Sequence, residues 1–216
     1  MRSPRIRIAA IGLAAGLALG ATACGSSSKA ASTDATTAPT TAPTTAPTTG
    51  KASLTGENFG PGCAAVPTSG AGSFSGMAQD PAATAASNNP ALSTLVAAVT
   101  AAKLGDTLNG PGPFTIFAPS NDAFAKLPKA TLDAVLADPS GALTKILTYH
   151  VIAGKSLDAQ QLADAGTEKT VNGADVTITK SGDTITINGQ SAVVCGNVKT
   201  ANATVQIIDT VLMPPS

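Results

Sequence analysis

The chain has 216 residues, of which 43% are hydrophobic, 3% aromatic and 12% charged, with 21 Gly, 15 Pro and no Trp; this length suits one domain with appendages. The formal charge is zero, but all three arginines (Arg2, Arg5, Arg7) precede residue 8, and the rest of the chain sets ten lysines against thirteen acidic residues, a net charge of −3. Without Arg and with few aromatics, such a chain lacks the forks and stacking platforms of nucleic-acid binders, and a single histidine thins the list of possible enzymes.

Met1–Arg7 is a positively charged start and Ile8–Ala21 an uncharged apolar stretch. At about 14 residues it is shorter than the roughly 20 that span a bilayer, so it reads as a cleavable export signal over residues 1–23. Ala21-Thr22-Ala23 before Cys24, followed by Gly25-Ser26-Ser27-Ser28, resembles a bacterial lipobox, with Ala21 in the place usually held by Leu. The resemblance implies diacylglycerol on the Cys24 sulfur, and two acyl chains give stable anchoring where one gives only marginal binding. The expected location is the extracytoplasmic face of the cell membrane, with some release to the extracellular space.

Residues 24–56 read as the lipidated Cys and a spacer: Gly25 to about Gly50 holds almost nothing apolar larger than Ala, and Thr36–Pro47 repeats Thr-Thr-Ala-Pro three times. Such a segment buries too little surface to offset its ordering entropy and reads as a disordered spacer. Regular prolines stretch it toward about 3.1 Å per residue, enough to hold a domain several tens of ångströms from a membrane. Thr36, Thr37, Thr40, Thr41, Thr44, Thr45, Thr48 and Thr49 are candidate O-glycosylation sites.

With Cys24 acylated, Cys63 and Cys195 remain as an even pair outside the cytoplasm, which reads as a disulfide. Two cysteines and one histidine without close spacing make a poor zinc site, and a redox pair would normally be Cys-x-x-Cys. No metal or cofactor is expected. The bond would pin the start of a domain, taken as residues 57–216, to a strand near its end.

Within that domain Asn89-Pro90 is a helix start, and Leu92, Leu95, Val96 and Val99 form one apolar helical stripe ending near Gly105. Phe114–Ala118 reads as a buried strand stopped by Pro119, with Ser120-Asn121-Asp122 capping a helical turn that carries Phe124 and Leu127. Thr131–Ala137 and Ala142–Thr148 are short helices expected to turn Leu132, Val135 and Leu136, then Leu143, Ile146 and Leu147, inward. Tyr149–Ile152 reads as a strand and Leu157–Ala165 as a helix. After Gly166 the period becomes two: Val176 and Ile178, then Ile185 and Ile187, flank a Ser181-Gly182-Asp183 turn as a β-hairpin. Val193-Val194 and Val205–Leu212 supply further strands. Helices gathered first and strands later indicate an α+β fold.

Three segments together resemble a fasciclin-like domain: Thr115–Phe124, with its Phe-Ala-Pro-Ser-Asn-Asp-Ala-Phe run; Leu147-Thr148-Tyr149-His150-Val151; and Asn202–Pro214. The resemblance covers essentially the whole domain, and Cys63, Cys195, the lipobox and the stalk are similar to actinobacterial fasciclin-domain surface lipoproteins. It implies a wedge-shaped β-sandwich flanked by several short helices, and adhesion or cell-surface binding rather than catalysis. The partner implied is a protein or carbohydrate at a cell or matrix surface.

Phe117, Phe124, Leu147 and Val211 read as core. Asn121 and Asp122 are placed to bond the amides of the helix that follows them. His150, beside the only tyrosine, reads first as a neutral imidazole on a strand, donating one hydrogen bond and accepting another. Tyr149, His150, Asn197 and Val198 are the candidate ligand contacts. In animal relatives an Asp-Ile pair ahead of the closing block is linked to integrin recognition; Asn197-Val198 stands there, and a mature chain without Arg offers no Arg-Gly-Asp, which argues against integrin binding by those routes. No Gly-x-Ser-x-Gly elbow or phosphate loop points to an enzyme. A second reading, a carrier for a lipid or small hydrophobe, requires an apolar cavity.

Overall fold

The computed structural model describes Leu54 and residues 56–215. The leader, Cys24 and the spacer threonines lie outside the described residues.

Seven strands form one sheet: β1 (Phe114–Pro119), β2 (Val151–Ala153), β3 (Thr167–Lys169), β4 (Asp175–Ser181), β5 (Thr184–Ile187), β6 (Ser191–Lys199) and β7 (Ala203–Ile208), in the order β2-β1-β7-β6-β5-β4-β3. Every pairing is antiparallel except β1 with β7, which runs parallel with Phe114 opposite Ala203 and Pro119 opposite Ile208. The β4–β5 hairpin forms as its alternation dictates. Ser181 pairs with Thr184, Gly182 turns with φ 60°, and Val176, Ile178, Ile185 and Ile187 are all buried.

Alternation along β1 and β7 divides the core in two. Ile116, Ala118, Val205 and Ile207 face the helices in one apolar cluster, whereas Phe117 and Ile208 point to the other side. There they meet Val176, Ile178, Ile185 and Ile187 of the hairpin. The sheet therefore folds back on itself, and β1 and β7, covered on both faces, are buried almost throughout. This is the expected α+β sandwich with helices along one side.

Eight short helices complete the domain: α1 (Phe74–Met77), α2 (Ala82–Ser87), α3 (Ser93–Ala101), α4 (Gly105–Leu108), α5 (Asn121–Ala125), α6 (Lys129–Ala137), α7 (Ala142–Tyr149) and α8 (Ala159–Ala165). Asn89-Pro90 opens a 3₁₀ turn that leads into α3, with the Asn89 side chain accepting from the Ala91 amide. The stripe buries Leu92, Leu95 and Val99 and leaves Val96 half-buried. Among the described residues no helix is long and apolar enough to cross a membrane.

Four sequence expectations need correction. Tyr149–Ile152 is not one strand: Tyr149 ends α7, the His150 backbone caps it by donating to the Leu147 carbonyl, and β2 starts at Val151. The closing strand stops at Ile208, short of Leu212. Ser120, not Asn121 or Asp122, caps α5; Asn121 reaches back instead, its Oδ1 accepting from the Thr94 amide at 3.0 Å and its Nδ2 donating to the Pro90 carbonyl at 2.9 Å, so it fastens the start of α3. Leu136 is 44% exposed, because α6 lies at the periphery and buries none of its residues.

Cys63 and Cys195 form a disulfide with their Cα atoms 4.8 Å apart. Around it the entry segment runs against β6. Phe59 bridges Gly196, and Asn58 Nδ2 donates to the Asn197 carbonyl at 3.1 Å. Gly196 carries no side chain because a Cβ there would run into the Phe59 ring.

Candidate functional site

Tyr149 and His150 lie at the end of α7, where Leu143, Ile146 and Leu147 turn the helix into the core. Each is 2% exposed. The Tyr149 hydroxyl donates to the Asp175 carbonyl at 3.0 Å and accepts from Asn188 Nδ2 at 2.9 Å, tying α7 to the β4–β5 hairpin. The His150 ring spans two elements: Nε2 accepts from the Leu212 amide at 3.0 Å, which leaves Nδ1 to donate to the Ile146 carbonyl at 2.8 Å. That pattern fixes a neutral ring with its proton on Nδ1.

Burial pulls the His150 imidazole down from 6.5 to about 4, against an opposing pull from the Ile146 carbonyl, which favours the protonated ring. An unfolded chain takes up this proton near 6.5. Between 6.5 and 4 the unfolded state therefore binds more protons than the folded one, and acid favours unfolding. Stability should fall by about 3 kcal/mol across that window, measured by urea titration at fixed pH, and a His150→Gln chain should lose the slope. A flat profile in the unmodified protein would contradict the assignment. Asp209 acts lower still. Burial alone would raise its pKa, but hydrogen bonds from Lys126, the Ala192 amide and Thr210 outweigh that and leave it lowered, so its contribution disappears only as pH drops below 3.8.

Asn197 and Val198 sit where β6 departs from regular register between Cys195 and Val198. Asn197 adopts φ 61°, a conformation Asn tolerates better than most residues, and is 1% exposed. All of its side-chain capacity is used internally. Nδ2 donates to the Leu54 carbonyl at 2.8 Å and the Glu57 carbonyl at 3.0 Å; Oδ1 accepts from the Ala159 amide at 2.8 Å and Gln206 Nε2 at 3.2 Å. The amide thus knots the entry segment, α8 and β7 to β6, and two of those bonds need donors that a carboxylate lacks. No hydrogen bond joins this pair to Tyr149–His150. As surface contacts the four residues offer almost nothing, although Val198 lines a cavity and His150 borders two small apolar hollows of about 110 and 60 Å³.

That cavity is the concave feature the sequence did not single out. α2 reads Ala-Ala-Thr-Ala-Ala-Ser, and its small side chains leave about 220 Å³ open between α2, α3, α4 and the helix-facing side of the sheet. Ile116, Val198, Val205 and Ile207 line it from the sheet, Leu95 and Val99 from α3, and it reaches solvent beside the exposed Ser87 and Thr100. No charged residue lines it. Because it opens to solvent, its apolar walls are only partly buried, and an apolar occupant would gain about 25 cal/mol for each Å² it removes from water. The signal was present as the Ala-Ala-Thr-Ala-Ala stretch 82–86, which withholds the bulk that a helix packed on a sheet normally supplies. Among the described residues no cluster of three His, Cys, Asp or Glu is placed to hold a metal ion.

Comparison with known proteins agrees with this frame. The chain is 49% identical over 172 residues to the immunogenic protein MPB70 of Mycobacterium bovis, covering 76% of this chain and 86% of that protein. It is 52% identical over 165 residues to the cell surface glycolipoprotein MPB83 of the same species, covering 73% of this chain and 72% of that one. A solved FAS1 domain pair from the insect cell adhesion molecule Fasciclin I shares the fold, with a TM-score of 0.55 at 18% identity over 64% of this chain and 52% of that chain. The fasciclin domain model matches residues 90–214, which span β1, the end of α7 and β7, the elements that carry the three sequence blocks, and the chain belongs to the fasciclin-domain family.

Proposed function

We propose that the protein is a lipid-anchored surface protein whose fasciclin domain is a binding module for cell–cell or cell–matrix contact, recognising a protein or carbohydrate rather than transforming a substrate. The observation that carries this reading is how the domain is fastened. Its entry segment is held to β6 by the Cys63–Cys195 bond, the Phe59–Gly196 bridge and the Asn197 amide, so whatever precedes residue 54 emerges from a rigid root. A lipidated Cys24 and a Thr/Pro-rich segment ahead of such a root suit display away from a membrane. A relative named as a cell surface glycolipoprotein and a fold neighbour from a cell adhesion molecule support the same reading.

The test is attachment of cells displaying the native chain, against cells making a Cys24→Ala chain, to surfaces coated with a panel of cell and matrix components. Attachment should follow display and disappear when the anchor cysteine is removed. Equal attachment by both cell types on every surface would end the adhesion reading.

A second reading, carriage of a small hydrophobic ligand, is favoured by the 220 Å³ apolar cavity beneath α2.

A further inference from the structure

The cavity is lined by six polar side chains, and five are already satisfied within the protein. Thr84 accepts from Asn109 Nδ2 at 3.3 Å, Asn109 Oδ1 accepts from the Ala83 and Thr84 amides, and Ser87 donates to the Thr84 carbonyl at 2.7 Å. Thr100 donates to the Val96 carbonyl at 2.8 Å and Thr200 to the Ala203 carbonyl at 3.1 Å. The sixth, Asn89, is 1% exposed. Its Oδ1 must be the atom facing the Ala91 amide at 3.0 Å, because that contact requires an acceptor, and this assigns Nδ2 to the other side. There the nitrogen has one partner, the Met77 thioether at 3.7 Å, and a thioether is a weak acceptor. Ser, Thr or Asp would cap the turn equally well; Asn brings in addition a buried donor with nothing strong to bond.

We propose that this cavity binds one neutral, single-chain lipid whose hydrogen-bond-accepting oxygen, as in a fatty alcohol or ester, is received by the Asn89 side-chain amide. The inference rests on the carrier reading above and narrows it to a ligand class. Leu, Ile, Val and Ala walls accept a hydrocarbon chain, and an engineered apolar cavity of about 150 Å³, smaller than this one, already binds benzene. The absence of charge from the lining excludes a carboxylate or phosphate head, which would be desolvated without a counter-charge.

The test uses the full chain carrying Cys24→Ser, so that no acyl chain of its own is present, titrated with dodecanol and with dodecyl chloride, which matches it in shape but accepts hydrogen bonds poorly. Dodecanol should bind one molecule per chain, about tenfold tighter than the chloride, the value of one well-made hydrogen bond, and should shift the Asn89 side-chain amide resonance. Asn89→Ser keeps a capping oxygen and removes the Nδ2 donor without adding charge, so it should bring dodecanol down to the affinity of the chloride. Two blocking variants, Val96→Trp inside the wall and Thr100→Trp on the exposed rim, should each weaken both probes at least tenfold; the rim variant lies outside the core and keeps the test valid if the other misfolds. Failure of both probes to bind, or binding that neither blocking variant weakens, overturns the carrier reading together with this one. Blockable binding with equal affinities and no effect of Asn89→Ser leaves the carrier reading standing and overturns the role of Asn89.

Discussion

Replacing Cys63 and Cys195 by serine should lower the unfolding free energy by about 5 kcal/mol, the loop-closure entropy that the chain-entropy model assigns to a separation of this size. The bond joins residues 132 apart, so its removal frees most of the domain in the unfolded ensemble. Against a typical margin of about 5–15 kcal/mol, that is the difference between a folded and a largely unfolded population at body temperature. Urea titration of the oxidised, reduced and serine forms measures it directly, with the reduced protein expected to match the double variant. Each single replacement should cost as much as the pair, since either one removes the same bond. A loss below about 1 kcal/mol would mean that the noncovalent contacts of the entry segment, not the disulfide, fix the ends.

Asn197→Asp should cost about 3–5 kcal/mol, although it changes one atom and keeps a residue type tolerant of φ 61°. The new oxygen would face the Leu54 and Glu57 carbonyls, where Nδ2 now donates to both, and would bring an unpaired charge into a site only 1% exposed. Burial raises the pKa of such a carboxyl, so the deficit relative to the native chain should shrink on acidification, as protonation removes the charge and restores one donor. A deficit that is small and independent of pH would show that the site admits water or relaxes. The same geometry bears on recognition, because a buried amide bonded to its own backbone is not a contact waiting for a metal.

What the sequence made legible was local. The β4–β5 hairpin needed only alternation and a turn with Gly, and β1 only an apolar run stopped by Pro. His150 was misplaced because Tyr-His-Val-Ile is rich in strand-favouring types, yet Leu143, Ile146, Leu147 and His150 continue the i, i+3, i+4, i+7 spacing of α7, a competing period that prevailed. Asn121 followed an ordinary capping rule but served a helix 27 residues earlier, a pairing that only the tertiary structure sets. α1, α2 and α4 were missed because helices of four to six residues are too short to show a period, and α2 holds only Ala, Thr and Ser. The cavity is the same blind spot seen from inside. Binary pattern marks which residues turn inward, whereas a void is a deficit of volume, visible only once the α2 alanines are set over β1 and β7.

The Cys63–Cys195 cross-link also decides what happens when the protein is pulled. Tension applied between the N-terminal side and the C-terminal end passes from Cys63 straight into Cys195 on β6, which is hydrogen-bonded to both β5 and β7. The stretch between the two sulfurs, with all eight helices and the β4–β5 hairpin, is bypassed by the load and cannot be drawn out. Pulled from those two ends, the molecule should therefore yield only the entry segment and the stretch after Cys195 that holds β7, and only a reducing agent should release the hidden length.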